Sequence, residues 1–266
     1  MKADFHIHSS FSSDSKSPMA DMVARGLMLG LETLCFTEHL DYDFPEGEVI
    51  FEPDMNAYYE EYKRLCEQYN DQIELLFGIE IGLQPHLGAR YHDFLASWPF
   101  DFVIGSSHVV NGRDPYYPDF FNGRDETKCY QEYFDSIVEN LKVYSEMDVY
   151  GHIDYIVRYG PDKNKYYSYA KYREVLDEIL RILVDNGIGL ELNMSGFKYG
   201  LEQPNPHPDI LKRYRQLGGE IITVGSDGHC PEHLAFEFAK VKNILSDCGI
   251  RYYTVYRGRK PEFIQI

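Results

Sequence analysis

A short apolar run that closes on a histidine or a carboxylate recurs along this chain, and longer amphipathic stretches separate one run from the next. The runs are Ala3 to Ile7 with His6 and His8, Leu34-Cys-Phe-Thr-Glu-His39, Leu75-Leu-Phe-Gly-Ile-Glu80, Phe102-Val-Ile-Gly-Ser-Ser-His108, Val149-Tyr-Gly-His152, and Ile221 to Gly225 followed by Asp227-Gly228-His229. Apolar runs that do not alternate with polar residues suit strands covered on both faces, which is the condition of a parallel sheet. Parallel strands require crossovers, and the amphipathic stretches supply helices for them. Seven such units are predicted. Their strands lie near 3–7, 33–37, 73–81, 101–107, 148–152, 188–193 and 220–225, and their helices near 18–29, 54–70, 86–96, 127–145, 169–186, 208–217 and 232–247. Ser17-Pro18 and Cys230-Pro231 place proline at a first helical position, and Gly187, Gly218 and Gly249 stand where helices should stop. The fold class expected is α/β, a distorted TIM-like (β/α)7 barrel in one domain. A last strand, Arg251 to Tyr256, is expected to close or edge the sheet.

In such a barrel, function gathers at the C-terminal ends of the strands. Six of the ten histidines fall there, interleaved with carboxylates. One histidine after a strand is ordinary, but six together point to a shared task. If Asp14, Glu80 and Asp227 converged without a cation, they would repel one another by about 3 kcal/mol per pair at separations near 5 Å. Divalent cations remove that repulsion.

A chain of 266 residues with 44% apolar composition buries a substantial core. Its longest apolar runs fall well short of the ~20 residues that span a bilayer, so neither a signal peptide nor a membrane partner is expected. Five cysteines, an odd number without a C-x-x-C pair, suggest neither a disulfide framework nor a thiolate zinc site, and a reducing cytoplasm fits best. The net charge of -17 argues against tracking a nucleic-acid backbone. Three divalent cations would add about +6 at the mouth of the site, so a small anionic substrate remains compatible.

Two long loops follow strands on the same face, Asp41 to Pro53 and Val109 to Thr127. Both are rich in Tyr, Phe, Pro, Gly and Asp, and both are expected to wall or cover the site. His86, His92, His207 and His233 are not expected to bind metal. Pro231 breaks the helical spacing between His229 and His233. The basic stretch Arg257-Gly-Arg-Lys260 reads as solvated surface.

Phe5-His6-Ile7-His8-Ser9 with Asp14, Thr37-Glu38-His39-Leu40-Asp41, Gly78-Ile-Glu80, Gly105-Ser-Ser-His108, Gly151-His152-Ile-Asp154 and Gly225-Ser-Asp227-Gly-His229 resemble the motifs of the polymerase and histidinol phosphatase (PHP) superfamily, in order and from residue 3 to about residue 260. Within it the chain looks like the stand-alone histidinol-phosphate phosphatases. The resemblance implies a distorted (β/α)7 barrel with a trinuclear centre. One metal would be held by His6, His8, Glu80 and Asp227, and Glu80 would bridge to a second on His108 and His152. A third would sit on Asp14, His39 and His229. Zinc, iron and manganese all suit this mixture of imidazole and carboxylate. The chain departs from the family at Gly228, where a small non-glycine residue is usual and a glycine loosens the backbone under His229. It departs again at Lys198, which stands where related phosphatases often carry arginine.

The activity implied is hydrolysis of the phosphate monoester of L-histidinol phosphate in histidine biosynthesis. Water bridging the first two metals would be acidified to a pKa of about 7 and would attack as hydroxide. Glu80, Asp227 and His229 are the residues expected to carry the chemistry, with the third metal taking a phosphoryl oxygen or the leaving alkoxide. Arg158 is the expected phosphate fork, because guanidinium matches phosphate geometry, and Lys198 the second phosphate contact. Asp41, Asp43, Tyr116, Tyr117, Phe120 and Phe121 are the loop residues available to read the ammonium and imidazole of the substrate. Competing readings are a broader phosphoesterase on nucleotides or sugar phosphates, a metal-binding module without activity, and a metal-dependent amidohydrolase.

Overall fold

The computed structural model describes residues 1–45 and 50–266. Seven strands form one parallel sheet in chain order: β1 Ala3–Ile7, β2 Thr33–Leu40, β3 Glu74–Gly82, β4 Phe102–Ser106, β5 Val149–Tyr150, β6 Gly189–Asn193 and β7 Ile222–Gly225. The sheet curls until β7 meets β1. A parallel bridge joins Ile7 to Gly228, and the His8 N–H donates to the Gly228 carbonyl at 2.9 Å. This is the nearly closed seven-stranded barrel expected from the sequence. Nearly every strand residue is buried, because helices cover the outside and side chains fill the inside.

The crossovers are α1 Met19–Met28, α2 Met55–Tyr69, α3 Gly88–Ala96, α4 Glu126–Val143, α5 Arg173–Asp185, the single turn α6 Ser195–Lys198, α7 Pro208–Gln216 and α8 Val241–Asp247. Asp54 caps α2 through the Ala57 N–H, and Asp125 caps α4 through the Lys128 N–H. Two tyrosines dock their helices onto the barrel wall: Tyr58 donates to the Phe36 and Gly78 carbonyls, and Tyr91 to those of Leu40 and Gly82. Among the described residues no helix is long and apolar enough to cross a membrane.

Four expectations need correction. Arg251 to Tyr256 neither closes nor edges the barrel: β8 Tyr252–Arg257 pairs antiparallel with β9 Lys260–Gln265 in a separate two-stranded sheet. Gly258 and Arg259, both at positive φ, make the two-residue turn that matches the twist of such a hairpin. The basic stretch is therefore not simply solvated. Arg257 forks onto Glu74 at 2.6 and 2.7 Å, and Arg259 pairs with Asp148, so the turn is fastened to the strand starts at the end opposite the histidines. The segment 232–247 is not one helix either. It breaks into 3-10 turns at Pro231–His233 and Phe238–Lys240 before α8, with Ala235 and Glu237 in the left-handed region between them. Finally, Pro18 precedes α1 as its cap residue instead of opening it.

Candidate metal centre

Successive side chains on a strand point to opposite faces, so His6 in β1 and His8, one residue past its end, turn to the same interior side. They meet Glu80, which β3 carries at its C-terminal end. Glu80 is fully buried and stands at the hub. Its Oε2 lies 3.1 Å from His6 Nε2, 3.5 Å from His8 Nε2 and 3.2 Å from His39 Nδ1. Its Oε1 lies 3.0 Å from His152 Nε2 and 3.4 Å from His108 Nε2. The Ser106 hydroxyl donates to that same Oε1 at 2.6 Å, which fixes the carboxylate plane. Asp227, at positive φ just past β7, brings Oδ1 to 3.8 Å from His8 Nε2 and 4.0 Å from His6 Nε2. Asp14 and His229 form the outer edge, with Asp14 Oδ2 at 3.0 Å from His229 Nε2 and 3.6 Å from His39 Nε2. All nine residues expected from the sequence thus converge.

At His6, His8 and His108 the outward ring nitrogen is tied down. His6 Nδ1 faces Glu191 Oε1 at 2.5 Å, and His108 Nδ1 faces Asp41 Oδ1 at 2.7 Å. The Ser12 hydroxyl has one proton, which goes to Glu38 Oε2 at 2.6 Å, so its oxygen accepts from the His39 N–H and from His8 Nδ1. His8 must then be protonated at Nδ1 and bare at Nε2. Paired in this way, each of these three imidazoles turns its Nε2 inward, the arrangement usual for metal-binding histidine.

His8 Nε2, His39 Nδ1 and Asp41 Oδ2 are buried and have no hydrogen-bond partner. Orphaned polar atoms in a protein interior are rare and costly, and here they sit inside a cluster of imidazole and carboxylate. Several overlapping groups of three bring their ligand atoms within 4.8 Å of one another, among them His6, His8 and Glu80, and Glu80, His108 and His152. The donor set fits divalent cations.

The electrostatics agree. Burial pushes His8 well toward the neutral form, reinforced by neighbouring His229, His39 and His6, and it lowers His152 as well. Burial also opposes charge on His6 and His108, but it is outweighed, at His6 by Glu191, Glu80 and Asp227 and at His108 by Asp41 and Glu80. Burial would raise Glu80 and Asp227, yet both stay well below the usual carboxylate range, Glu80 through His6, His39 and His108, Asp227 through Arg158 and His6. Asp14 is held down at about 2, burial being overcome by His39 and His229.

The centre forms the floor of a cavity of about 630 Å³. Phe44 and Phe51, from the loop after β2, wall one side with ring centroids 4.8 Å apart, and Tyr116 and Tyr117, from the loop after β4, wall another. Part of the first loop, 46–49, lies outside the described residues. Arg158 is at the cavity but 3% exposed, and its fork is occupied: Nη1 donates to Asp227 Oδ2 at 2.9 Å, Nε to Asn205 at 2.9 Å and Nη2 to Asn193 at 3.2 Å. Lys198 Nζ, also at the cavity, donates to the Asp227 carbonyl at 3.0 Å. Gly228 is pinned rather than loose, since its carbonyl and its N–H both bond to β1 across the seam. Asp41 supports His108, and Asp43 pairs with His86 and Arg90 outside the cavity. Phe120 and Phe121 are packed in the core.

Sequence reasoning missed the residues that orient the histidines, Glu38, Glu191 and Ser12, and the one that orients Glu80, Ser106. Glu191 left a trace. It and Asn193 are the polar members of Gly189-Leu-Glu-Leu-Asn193, a period of two that marks one face of a buried strand.

A PHP domain family model matches residues 4–195. The histidinol-phosphatase of Lactococcus lactis is 31% identical over 263 residues, covering 97% of this chain and 96% of the relative. The probable histidinol-phosphatase of Clostridium acetobutylicum is 30% identical over 252 residues, covering 94% and 95%. The crystal structure of the Lactococcus lactis histidinol phosphate phosphatase, complexed with zinc, L-histidinol and phosphate, superposes with a TM-score of 0.91 at 30% identity and covers 98% of each chain. By its motifs, its barrel and these matches, the chain belongs to the PHP domain family.

Proposed function

We propose that this chain hydrolyses L-histidinol phosphate to L-histidinol and phosphate, a step of histidine biosynthesis. The observation that carries this reading is the convergence of five histidines on Glu80, with His229 beside them on Asp14 and Asp227, beneath a cavity of about 630 Å³, in a chain similar along nearly its whole length to a histidinol-phosphatase.

The residues suit three divalent cations: one on His6, His8, Glu80 and Asp227, one on Glu80, His108 and His152, and one on Asp14, His39 and His229. Zinc, iron and manganese are all compatible with these donors. Bound cations supply Lewis acidity, activating water near neutral pH and offsetting charge on the phosphoryl oxygens. The protein positions and shields. Ser106 and the histidines fix Glu80. Arg158, Asn193 and Ser195 hold Asp227 Oδ2 while its Oδ1 faces the centre. Two Arg158 N–H groups are left over from its three internal bonds, and with Lys198 they are the positive charge facing a phosphate in the cavity. The tyrosines and the Asp114 carboxylate on the cavity wall suit an imidazole and an ammonium. Five unpaired thiols suit a reducing cytoplasm.

The test is phosphate release from L-histidinol phosphate beside a panel of common monoesters, with His8→Ala as control. Strong preference for histidinol phosphate, abolished by the substitution, is expected. Turnover of several esters within about tenfold, or ~1.4 kcal/mol, would leave a broader phosphoesterase. No turnover would remove the enzyme reading.

A further inference from the structure

His6 and His152 come from strands on different sides of the barrel, yet they stand between the same two carboxylates. In front of them is Glu80, whose Oε2 lies 3.1 Å from His6 Nε2 and whose Oε1 lies 3.0 Å from His152 Nε2. Behind them is Glu191, on β6 and 1% exposed. Glu191 Oε1 faces His6 Nδ1 at 2.5 Å, and its Oε2 accepts the His152 main-chain N–H at 2.8 Å. The Asn193 amide donates to both Glu191 oxygens at 3.1 Å and lies 3.4 Å from Asp227 Oδ2. No other side chain ties β1, β5 and β6 together at this depth by hydrogen bonds among the described residues.

Two glycines keep the carboxylate in place. A Cβ at Gly225 would fall 2.3 Å from His6 Cβ and 2.6 Å from Glu191 Oε1. A Cβ at Gly151 would fall 2.4 Å from the Ser106 hydroxyl and 3.5 Å from Glu191 Oε2. The glycines of the Gly151-His152 and Gly225-Ser-Asp227 motifs thus clear the space that Glu191 and the two imidazoles share.

We propose that Glu191 is a positioning residue which holds His6 and His152 at one separation, so that the two cation positions meeting at Glu80 are built, or lost, together. The inference rests on the metal assignment made above. Asp14, His39 and His229 make no hydrogen bond to Glu191, so the outer position is independent of it.

The experiment uses apoprotein titrated with zinc against a competing chromophoric chelator, and with cobalt followed by its visible absorption. In Glu191→Gln, two zinc equivalents should weaken together by roughly 10- to 100-fold, and their cobalt bands should shift. The third equivalent should stay within about threefold of wild type. Loss of fold stability alone would not select two equivalents out of three. Should the glutamine variant fail to fold, Glu191→Asp keeps the charge on a shorter arm and should give the same pairwise pattern at smaller amplitude. Wild-type affinities at all equivalents, loss of one equivalent alone, equal weakening of all three, or a wild type holding fewer than two equivalents would each overturn the proposal. No substrate is present, so failure to hydrolyse histidinol phosphate would sink the functional reading and leave this one standing.

Discussion

Arg158 and Asp227 divide one carboxylate between two tasks. Asp227 Oδ2 accepts from Arg158 Nη1 at 2.9 Å, and Oδ1 turns to His8 and His6 at 3.8 and 4.0 Å. Both side chains are nearly inaccessible to water, so neither charge has solvent to fall back on.

Removing the guanidinium should therefore damage the metal centre as well as phosphate binding. Arg158→Ala is expected to lower kcat/KM for L-histidinol phosphate on the order of 100-fold or more, and to weaken zinc binding. Arg158→Lys should recover only part, since an ammonium cannot reach Asp227, Asn205 and Asn193 at once. Steady-state kinetics with metal analysis checks this, and unchanged kcat and KM in the alanine variant would refute it.

Asp41 occupies the space where a side chain at residue 82 would sit. A Cβ on Gly82 would lie 1.8 Å from Asp41 Oδ1, the atom 2.7 Å from His108 Nδ1. Gly82→Ala should push Asp41 off His108, destabilise the fold by roughly 1–3 kcal/mol and lower kcat/KM more than tenfold. Gly88→Ala in α3, where the nearest atom is 3.4 Å away, is the matched control. It should be neutral or stabilising by up to about 1 kcal/mol. Urea denaturation of both variants decides the point.

Chelation should abolish hydrolysis and leave a less stable apoprotein. Zinc at about 1,000 times its Kd should restore about 4 kcal/mol. His6 and His108 sit well above the ordinary histidine range because, against burial, Glu191, Glu80, Asp227 and Asp41 hold their protons. Binding zinc must displace those protons, so affinity should fall as pH falls. Calorimetry in buffers of different ionisation enthalpy reads the proton release directly.

On the outside of the barrel, Arg213 forks onto Asp177 at 2.8 and 2.6 Å and ties α7 to α5. Hydrogen bonding by Arg213 holds the Asp177 carboxyl at about 2. A depressed carboxyl stabilises the fold above its unfolded pKa, near 4, and that contribution disappears as pH falls through 2. Asp177→Asn should thus cost about 1–2 kcal/mol at pH 6, allowing for solvent screening around the pair. The gap from wild type should narrow toward pH 2. A gap independent of pH would assign the loss to packing instead.

The strands were legible in the sequence because each is an apolar run buried on two faces, and most candidate ligands were legible because they end those runs. Asp14 was different. It lies in a loop, and only the family resemblance pointed to it. The Asp41–His108 contact joins residues 67 positions apart and depends on two strands being held in register by a third, which no local pattern encodes. Arg158 was placed correctly at the cavity, but its three internal partners come from separate elements that only the closed barrel brings together. The hairpin of β8 and β9 went unread because Lys260-Pro-Glu-Phe-Ile-Gln265 carries a proline, acceptable in a strand only at an edge or a strand start.

The seam where β7 returns to β1 runs through Gly228, which lies between Asp227 and His229. The last stitch of the barrel and the last two metal candidates are one tripeptide. A chain emerging from the ribosome can fold six strands and still lack both residues, so the two cation positions that use Asp227 or His229 would be completed only on circularisation. An ion held by His6, His8 and Asp227 would staple the two ends of the barrel across a span of more than two hundred residues, coupling its release to opening of the seam.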